Sequence, residues 1–314
     1  MSAGFAVLDR RSVVAVTGED RKAFLQGLVS NDMLRVTPDH AAYALFLTPQ
    51  GKFLHDFTIV ESAAVESGTT ESGAEASAAL LLDPETDRRA DLMRRLKMYK
   101  LRSKIALEDR TEALRVAVAF GDGALAALGL PAEPGAARPF GGGIAFTDPR
   151  LPALGARLFL PVEGVAALEE AGLPRRDAAD YDRLRLSLGV PDGTGDLVPE
   201  KSIPLENRMD ALNAISWDKG CYMGQELTAR TKYRALIKKK LFPAAIDGPA
   251  PEPGTPVTLD GKDAGEIRSV RDGAALALLR LEDVQRAAEK GLAFQAGPAT
   301  LTPSEPGWDT TTKG

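Results

Sequence analysis

The chain has 314 residues, 44% of them hydrophobic and 26% charged, with a net charge of −5. That length buries a substantial core without covalent staples, and the single cysteine, Cys221, excludes an intrachain disulfide framework. The acidic balance argues against a general nucleic-acid coat, and no apolar run approaches the roughly 20 residues that span a bilayer, so neither nucleic acid nor membrane is an expected partner.

The opening MSAGFAVLDR turns at once into alternating apolar residues, without the basic and apolar stretches of a secretory signal, which makes the cytoplasm the expected location. Residues 5–8 and 13–16 read as short strands, and Thr17-Gly18-Glu19-Asp20 has the form of a capping box. Phe24, Leu25, Leu28 and Val29 mark the buried face of the helix it opens. Strands at 42–48 and 53–61 form a predicted hairpin, joined by Pro49-Gln50-Gly51-Lys52. Residues 62–77 are rich in Ser, Gly, Glu and Ala without periodicity and read as a mobile connection. A strand at 79–82, a helix at 85–99 with Leu92, Leu96 and Tyr99 at helical spacing, and alternation at 104–108 complete a first mixed round.

A second round repeats the alternation: strand 114–120, a short helix near 123–128, strands near 144–147 and 156–160, and helix 162–171. Residues 180–188 read as helical, after which Gly193, Gly195, Pro199 and Pro204 break regularity. Beyond Lys240 short strands with turn signals, such as 256–259 and 274–281, indicate a small β domain. The predicted organisation is therefore α+β: a first module at 1–110, a second related one at 111–236, a β domain at 237–303, and a frayed polar tail at 304–314.

Cys221 lies in DKGCYMGQE, with Lys219 beside it and a helix predicted from Met223 onward. Nearby cations and helix N-termini favour the reactive thiolate, and Gly220 and Gly224 permit positive φ or close approach of a ligand. The plain alternative is a small buried cysteine beside a turn. A cysteine hydrolase would need a histidine base, and His40 and His55 stand in no recognisable partner pattern. A self-contained zinc or iron-sulfur site needs about four ligands, so no stable metal is expected, and a cluster contact would be transient or shared with another chain. Arg230, Lys232, Arg234, Lys238, Lys239 and Lys240 concentrate positive charge, either as a solvated face or as an attractor of an acidic ligand.

KGCYMGQELTAR (219–230) resembles the signature of the YgfZ-type folate-binding proteins, relatives of the glycine-cleavage T protein that act in iron-sulfur protein maturation. FLQGLVSND (24–32), AAYALFLTPQGKFLHDF (41–57), YKLRSKI (99–105) and IPLENRMDALNAISW (203–217) resemble that family's other blocks in the same order. The continuation KKKLFPA (238–244) is similar to the subgroup containing the mitochondrial assembly factor.

The resemblance implies a T-protein-like fold, with two α+β modules and a C-terminal β-barrel around a central channel that admits tetrahydrofolate or a derivative. It implies that Cys221 is the functional thiol, accompanied by Lys219, Gln225, Glu226 and Arg230. Folate contacts fall on Asp56, Glu206, Asn31 and Tyr222, the carboxylates being suited to pterin N–H groups. The partners implied are folate and iron-sulfur assembly or client proteins. A folate-dependent aminomethyltransferase or demethylase is the alternative. It is put in doubt by His55-Asp56, where T-protein relatives tend to carry two acids. Ala214 and Arg234-Ala235 also depart from the family pattern, which tends to have glycine at both places.

Overall fold

The computed structural model describes residues 1–62, 78–234 and 237–309. The expected mobile connection, Ser62 apart, lies outside the described residues. The chain forms two compact units, Met1–Phe46 with His55–Ala178 and Asn213–Met223, and Leu47–Leu54 with Ala179–Leu212 and Gly224–Gly314. These units do not follow the linear boundaries at 110 and 236.

The strands before the barrel are β1 (Gly4–Val7), β2 (Val14–Thr17), β3 (Ala42–Leu47), β4 (Phe53–Ser62), β5 (Ala79–Leu82), β6 (Ala106–Asp109), β7 (Leu114–Phe120), β8 (Ala137–Phe140), β9 (Gly143–Thr147) and β10 (Ala156–Pro161). They form two five-stranded sheets, in the orders β1-β7-β10-β9-β8 and β3-β4-β5-β2-β6. β1 pairs antiparallel with β7, Gly4 opposite Phe120, so the first strand of the chain completes the second sheet. That pairing is why a boundary near 110 does not separate the modules. β7 is central, held between β1 and β10, and its buried run Val116–Phe120 lacks polar residues because both faces are covered. Phe5, Leu158, Leu168 and Leu173 share its core.

Helix α1 (Arg21–Gln26) follows β2, and Phe24, Leu25, Leu28 and Val29 are all buried as expected. The capping box is corrected: Asp20 precedes the helix without capping it, and its Oδ2 instead accepts the Lys104 amide hydrogen at 2.7 Å. Helix α2 (Arg89–Lys100) follows a 3₁₀ turn and buries Leu92 and Leu96. Helices α3 (Ala124–Ala127) and α4 (Ala166–Glu170) contribute Ala124 and Leu168 to the core around β7.

The second unit contains most of α5 (Ala178–Ser187), then α6 (Gln225–Tyr233) and a closed six-stranded barrel. The barrel strands are β11 (Lys239–Asp247), β12 (Pro256–Leu259), β13 (Lys262–Arg271), β14 (Ala274–Arg280), β15 (Phe294–Ala296) and β16 (Ala299–Pro303), with helix α7 (Leu281–Lys290) between β14 and β15. Phe242, Val257, Leu259, Ile267, Leu279 and Phe294 fill its core.

The expected frayed tail is corrected over 304–309. Asp309 is buried and ion-paired with Arg208 and Lys240, and Trp308 Nε1 donates to the Leu188 carbonyl at 2.6 Å. A fully buried arginine such as Arg208 needs an anion beside it, and the tail supplies one. Residues 310–314 lie outside the described residues.

Candidate functional site

Asn213–Met223 belongs to the first unit and is fastened at both ends to the turn that follows α1. Ser216 donates its amide hydrogen to Ser30 O at 3.0 Å, Ser30 Oγ donates to Ala214 O at 2.6 Å, and Met223 donates to Gly27 O at 3.2 Å. Between these ends the buried Lys219 ammonium donates to the carbonyls of Gln26 (2.8 Å), Val29 (2.7 Å) and Asn31 (2.7 Å). It also sits 5.2 Å from the centre of the Tyr222 ring. All three donors of an ammonium are thus used on backbone oxygens. Burial pushes this amine down to about 8, while Asp32 draws it up. Lys219 therefore pins the cysteine loop to α1's exit.

Cys221 is exposed, and the buried alternative considered from sequence is set aside. Of the two settings expected for Gly220, positive φ is not the one it adopts. Tyr222 is buried, and its hydroxyl has no hydrogen-bonding partner among the described residues. Burial pushes that phenol up to about 12. Just ahead of Lys219, Trp217 and Asp218 line a cleft of about 410 Å³ with Asn31, Arg35, His40 and Tyr43. Among the described residues, no group of three or more His, Cys, Asp or Glu side chains is placed to hold a metal ion.

Two of the expected folate contacts are engaged within the protein. Asp56 is 1% exposed, with Oδ2 accepting from Arg11 Nη2 (3.1 Å) and from the Tyr43 hydroxyl (2.9 Å), and Oδ1 from Arg11 Nη1 at 3.4 Å. Burial, then the neighbouring Asp56 charge, raises the Tyr43 phenol well above its ordinary value. Asp83, Arg157, Asp148 and Arg150 continue the buried charges. Arg150 stacks 5.4 Å from the centre of the Tyr43 ring. Asn31 spends both amide hydrogens on carbonyls, Tyr43 O and Asn213 O, each at 2.7 Å, and its Oδ1 accepts from Asp32 N. Sequence reasoning missed Arg11 and Tyr43, because nothing local links them to Asp56. It also missed Asn213, whose φ of +57° is a setting that asparagine tolerates better than most residues.

The remaining predicted residues lie in the second unit. Gly224 precedes α6 with φ +82°, and a Cβ there would stand 2.5 Å from Thr48 O. Gly51 faces it, where a Cβ would meet Gly224 O at 3.0 Å. The two motif glycines are thus explained together: the PQG turn and the GQE helix start press backbone against backbone. Gln225 is half-buried, while Glu226 and Arg230 are exposed in the first and last turns of α6, where their charges suit the helix dipole.

Glu206 lies in the 3₁₀ turn Pro204–Asn207, half-buried, with no side-chain hydrogen bond or ion pair among the described residues. Burial raises its carboxyl above the ordinary range, and Lys52, Lys239 and Arg268 pull the other way. The basic run does not form one solvated face. Lys240 is buried against Asp309, whereas Lys232, Arg234 and Lys238 are exposed.

Residues 238–311 match the family described as the CAF17 C-terminal β-barrel domain. Over its length the chain superposes on the glycine cleavage system aminomethyltransferase T of Bartonella henselae with a TM-score of 0.69, covering 97% of this chain and 86% of that one at 15% identity. That likeness establishes the fold. The mitochondrial iron-sulfur cluster assembly factor IBA57 of Mus musculus is 34% identical over 299 residues, spanning 88% of this chain and 78% of that protein. The chain belongs to the IBA57 family. The Homo sapiens IBA57 is 33% identical over 293 residues with the same coverage of both chains.

The expected resemblance to YgfZ-type proteins is thereby shown, at the level of the IBA57 branch, and the T-protein-like fold with it. The expected cytoplasmic location is corrected, because these IBA57 relatives are mitochondrial proteins. Sequence reasoning took the lack of a secretory signal as pointing to the cytoplasm, which did not weigh other compartments.

Proposed function

We propose that this chain is an assembly factor for iron-sulfur proteins that acts by presenting Cys221, and that it binds a tetrahydrofolate without transferring its one-carbon unit. The observation carrying the first part is the exposed thiol on a loop whose base is fixed by Lys219. A thiolate is a soft ligand for iron, and one cysteine supplies one ligand. The cluster is cargo, so its other ligands come from a partner or client protein.

The residues fit a bound folate in part. Glu206 offers a carboxylate without a side-chain partner among the described residues, suited to the amino and ring N–H groups of a pterin. Bound folate supplies a flat heterocycle carrying hydrogen-bond donors. Asn31 and Asp56 are engaged with the protein itself. The aminomethyltransferase or demethylase alternative asks Asp56 to act at a reacting nitrogen, and a buried carboxylate held by Arg11 and Tyr43 is poorly placed for that.

Restoration of iron-sulfur enzyme activity in cells lacking the factor, paired with calorimetric titration of tetrahydrofolate, tests both parts. Cys221→Ala is expected to bind folate like the parent protein and fail to restore activity. Full restoration by Cys221→Ala removes the thiol from the function, and no saturable heat from the parent protein removes the folate.

A further inference from the structure

The end of α2 takes no part in the site above. Between Arg88 and Lys104 the chain carries eight lysines and arginines and one acid, Asp91, in a protein of net charge −5. Asp91 is ion-paired with Arg94 and Arg95 and bonded to His55, and Lys104 pairs with Glu19. Lys97, Lys100 and Arg102 have no side-chain partner among the described residues. Cations at the end of a helix have an ordinary explanation, since they offset its carbonyl pole. That explanation does not reach the apolar residues set between them.

Met98 is 63% exposed and Leu101 is 88% exposed, the most exposed large apolar side chain among the described residues. Leu101 also has φ +42° and ψ −109°, while Ser103 donates its amide hydrogen to Lys100 O at 2.7 Å. This is the first central position of a type II′ turn, which glycine normally occupies. A leucine there strains the backbone, and its exposed side chain buries little apolar surface among the described residues to offset the strain. Tyr99 differs, since its ring meets Phe46 edge-on at 6.3 Å.

We propose that the turn at 97–102 is a peripheral docking patch for an anionic lipid surface, with Met98 and Leu101 entering the interface and Lys97, Lys100 and Arg102 meeting the headgroups. Projecting apolar side chains interleaved with cations are the combination that interfacial binding uses, and a bilayer needs no matching hole to receive them. A specific protein interface draws on about 20–30 residues a side, far more than this patch offers. The overall negative charge is no obstacle, because charges beyond about 8 Å are screened at physiological salt. Among the described residues no helix is long and apolar enough to cross a membrane, so the contact lies on the surface. It departs from the absence of a membrane partner expected from sequence.

Co-sedimentation of the full chain with phosphatidylcholine vesicles, with and without phosphatidylglycerol, tests this. Binding to the anionic vesicles is expected to be roughly tenfold stronger and to fall with added salt. Leu101→Gly is expected to weaken it about fivefold or more while leaving the thermal midpoint unchanged or higher, because glycine relieves the turn. The double variant Lys100→Glu, Arg102→Glu is expected to bind no better than to neutral vesicles. Equal binding to both vesicle types, no binding, or a Leu101→Gly protein that binds like the parent overturns the proposal. So does Leu101-dependent capture of soluble polyglutamate without vesicle binding, which would assign the patch to an acidic protein.

Discussion

Arg11 and Asp56 form a buried ion pair, Nη2 to Oδ2 at 3.1 Å, and the Tyr43 hydroxyl donates to the same carboxylate oxygen at 2.9 Å. Removing one partner of such a pair leaves the other charge uncompensated in the interior, at a cost of about 3–5 kcal/mol. Asp56→Asn is therefore expected to lower the urea midpoint sharply. Folate affinity, measured where the variant is still folded, is expected to change little. A stable Asp56→Asn protein that has lost folate would return the aspartate to the ligand.

Glu206 presents the opposite case. Its carboxylate is half-buried and without a side-chain partner among the described residues, so Glu206→Gln removes no internal bond. Stability is expected to hold or rise slightly. Tetrahydrofolate affinity is expected to fall about tenfold, as a hydrogen bond to a charged group is lost. Calorimetry and thermal melting on the same sample separate the two effects.

Lys219→Met keeps the length of the side chain and removes its three donors. The carbonyls of Gln26, Val29 and Asn31 then lose their common partner, which is expected to cost about 2–4 kcal/mol. Amide hydrogen exchange is expected to quicken in 213–223 and 26–31, ahead of the rest of the first unit. Unchanged exchange there would mean that the loop is held without the lysine.

His55 makes the acid limb of stability predictable. Burial, followed by the Arg88 charge, pushes its imidazole down to about 4, although Asp91 bonds to Nε2 at 3.0 Å and pulls the other way. Because the folded state resists protonation, the unfolded chain binds the extra proton first as pH falls from about 6.5. Stability is accordingly present above that pH and declines toward about 4, by at most about 3 kcal/mol from this group. Asp91, held at about 2 by Arg94, Arg95 and His55, adds its loss at still lower pH. Denaturant midpoints from pH 7 to pH 4, compared between the parent protein and His55→Asn, check the assignment: the variant's profile should be flatter.

Local pattern in the sequence located most elements, and the misses have physical causes. The β7 strand was located by its apolar run Val116–Phe120, which lies between Arg115 and Gly121 and leaves little choice. β8 was missed since Arg138 and Pro139 interrupt any alternation, as suits a strand at the sheet edge. α7 was missed although Leu281, Val284 and Ala287 recur at helical spacing, because the surrounding strands dominated the reading of the barrel. In the site, the polar, glycine-flanked setting of Cys221 agreed with its exposure. The carbonyl cage of Lys219 and the Arg11–Asp56 pair were illegible, since each depends on partners far apart along the chain.

The pairing of β1 with β7 constrains the order of events on the ribosome. Gly4–Val7 leaves the exit tunnel well before its hydrogen-bonding neighbour Leu114–Phe120, so its ladder stays open until the intervening hairpin and α2 have emerged. A nascent fragment that stops short of Leu114 would carry an unsatisfied strand, which makes the front half a natural client for a chaperone that shields extended apolar segments.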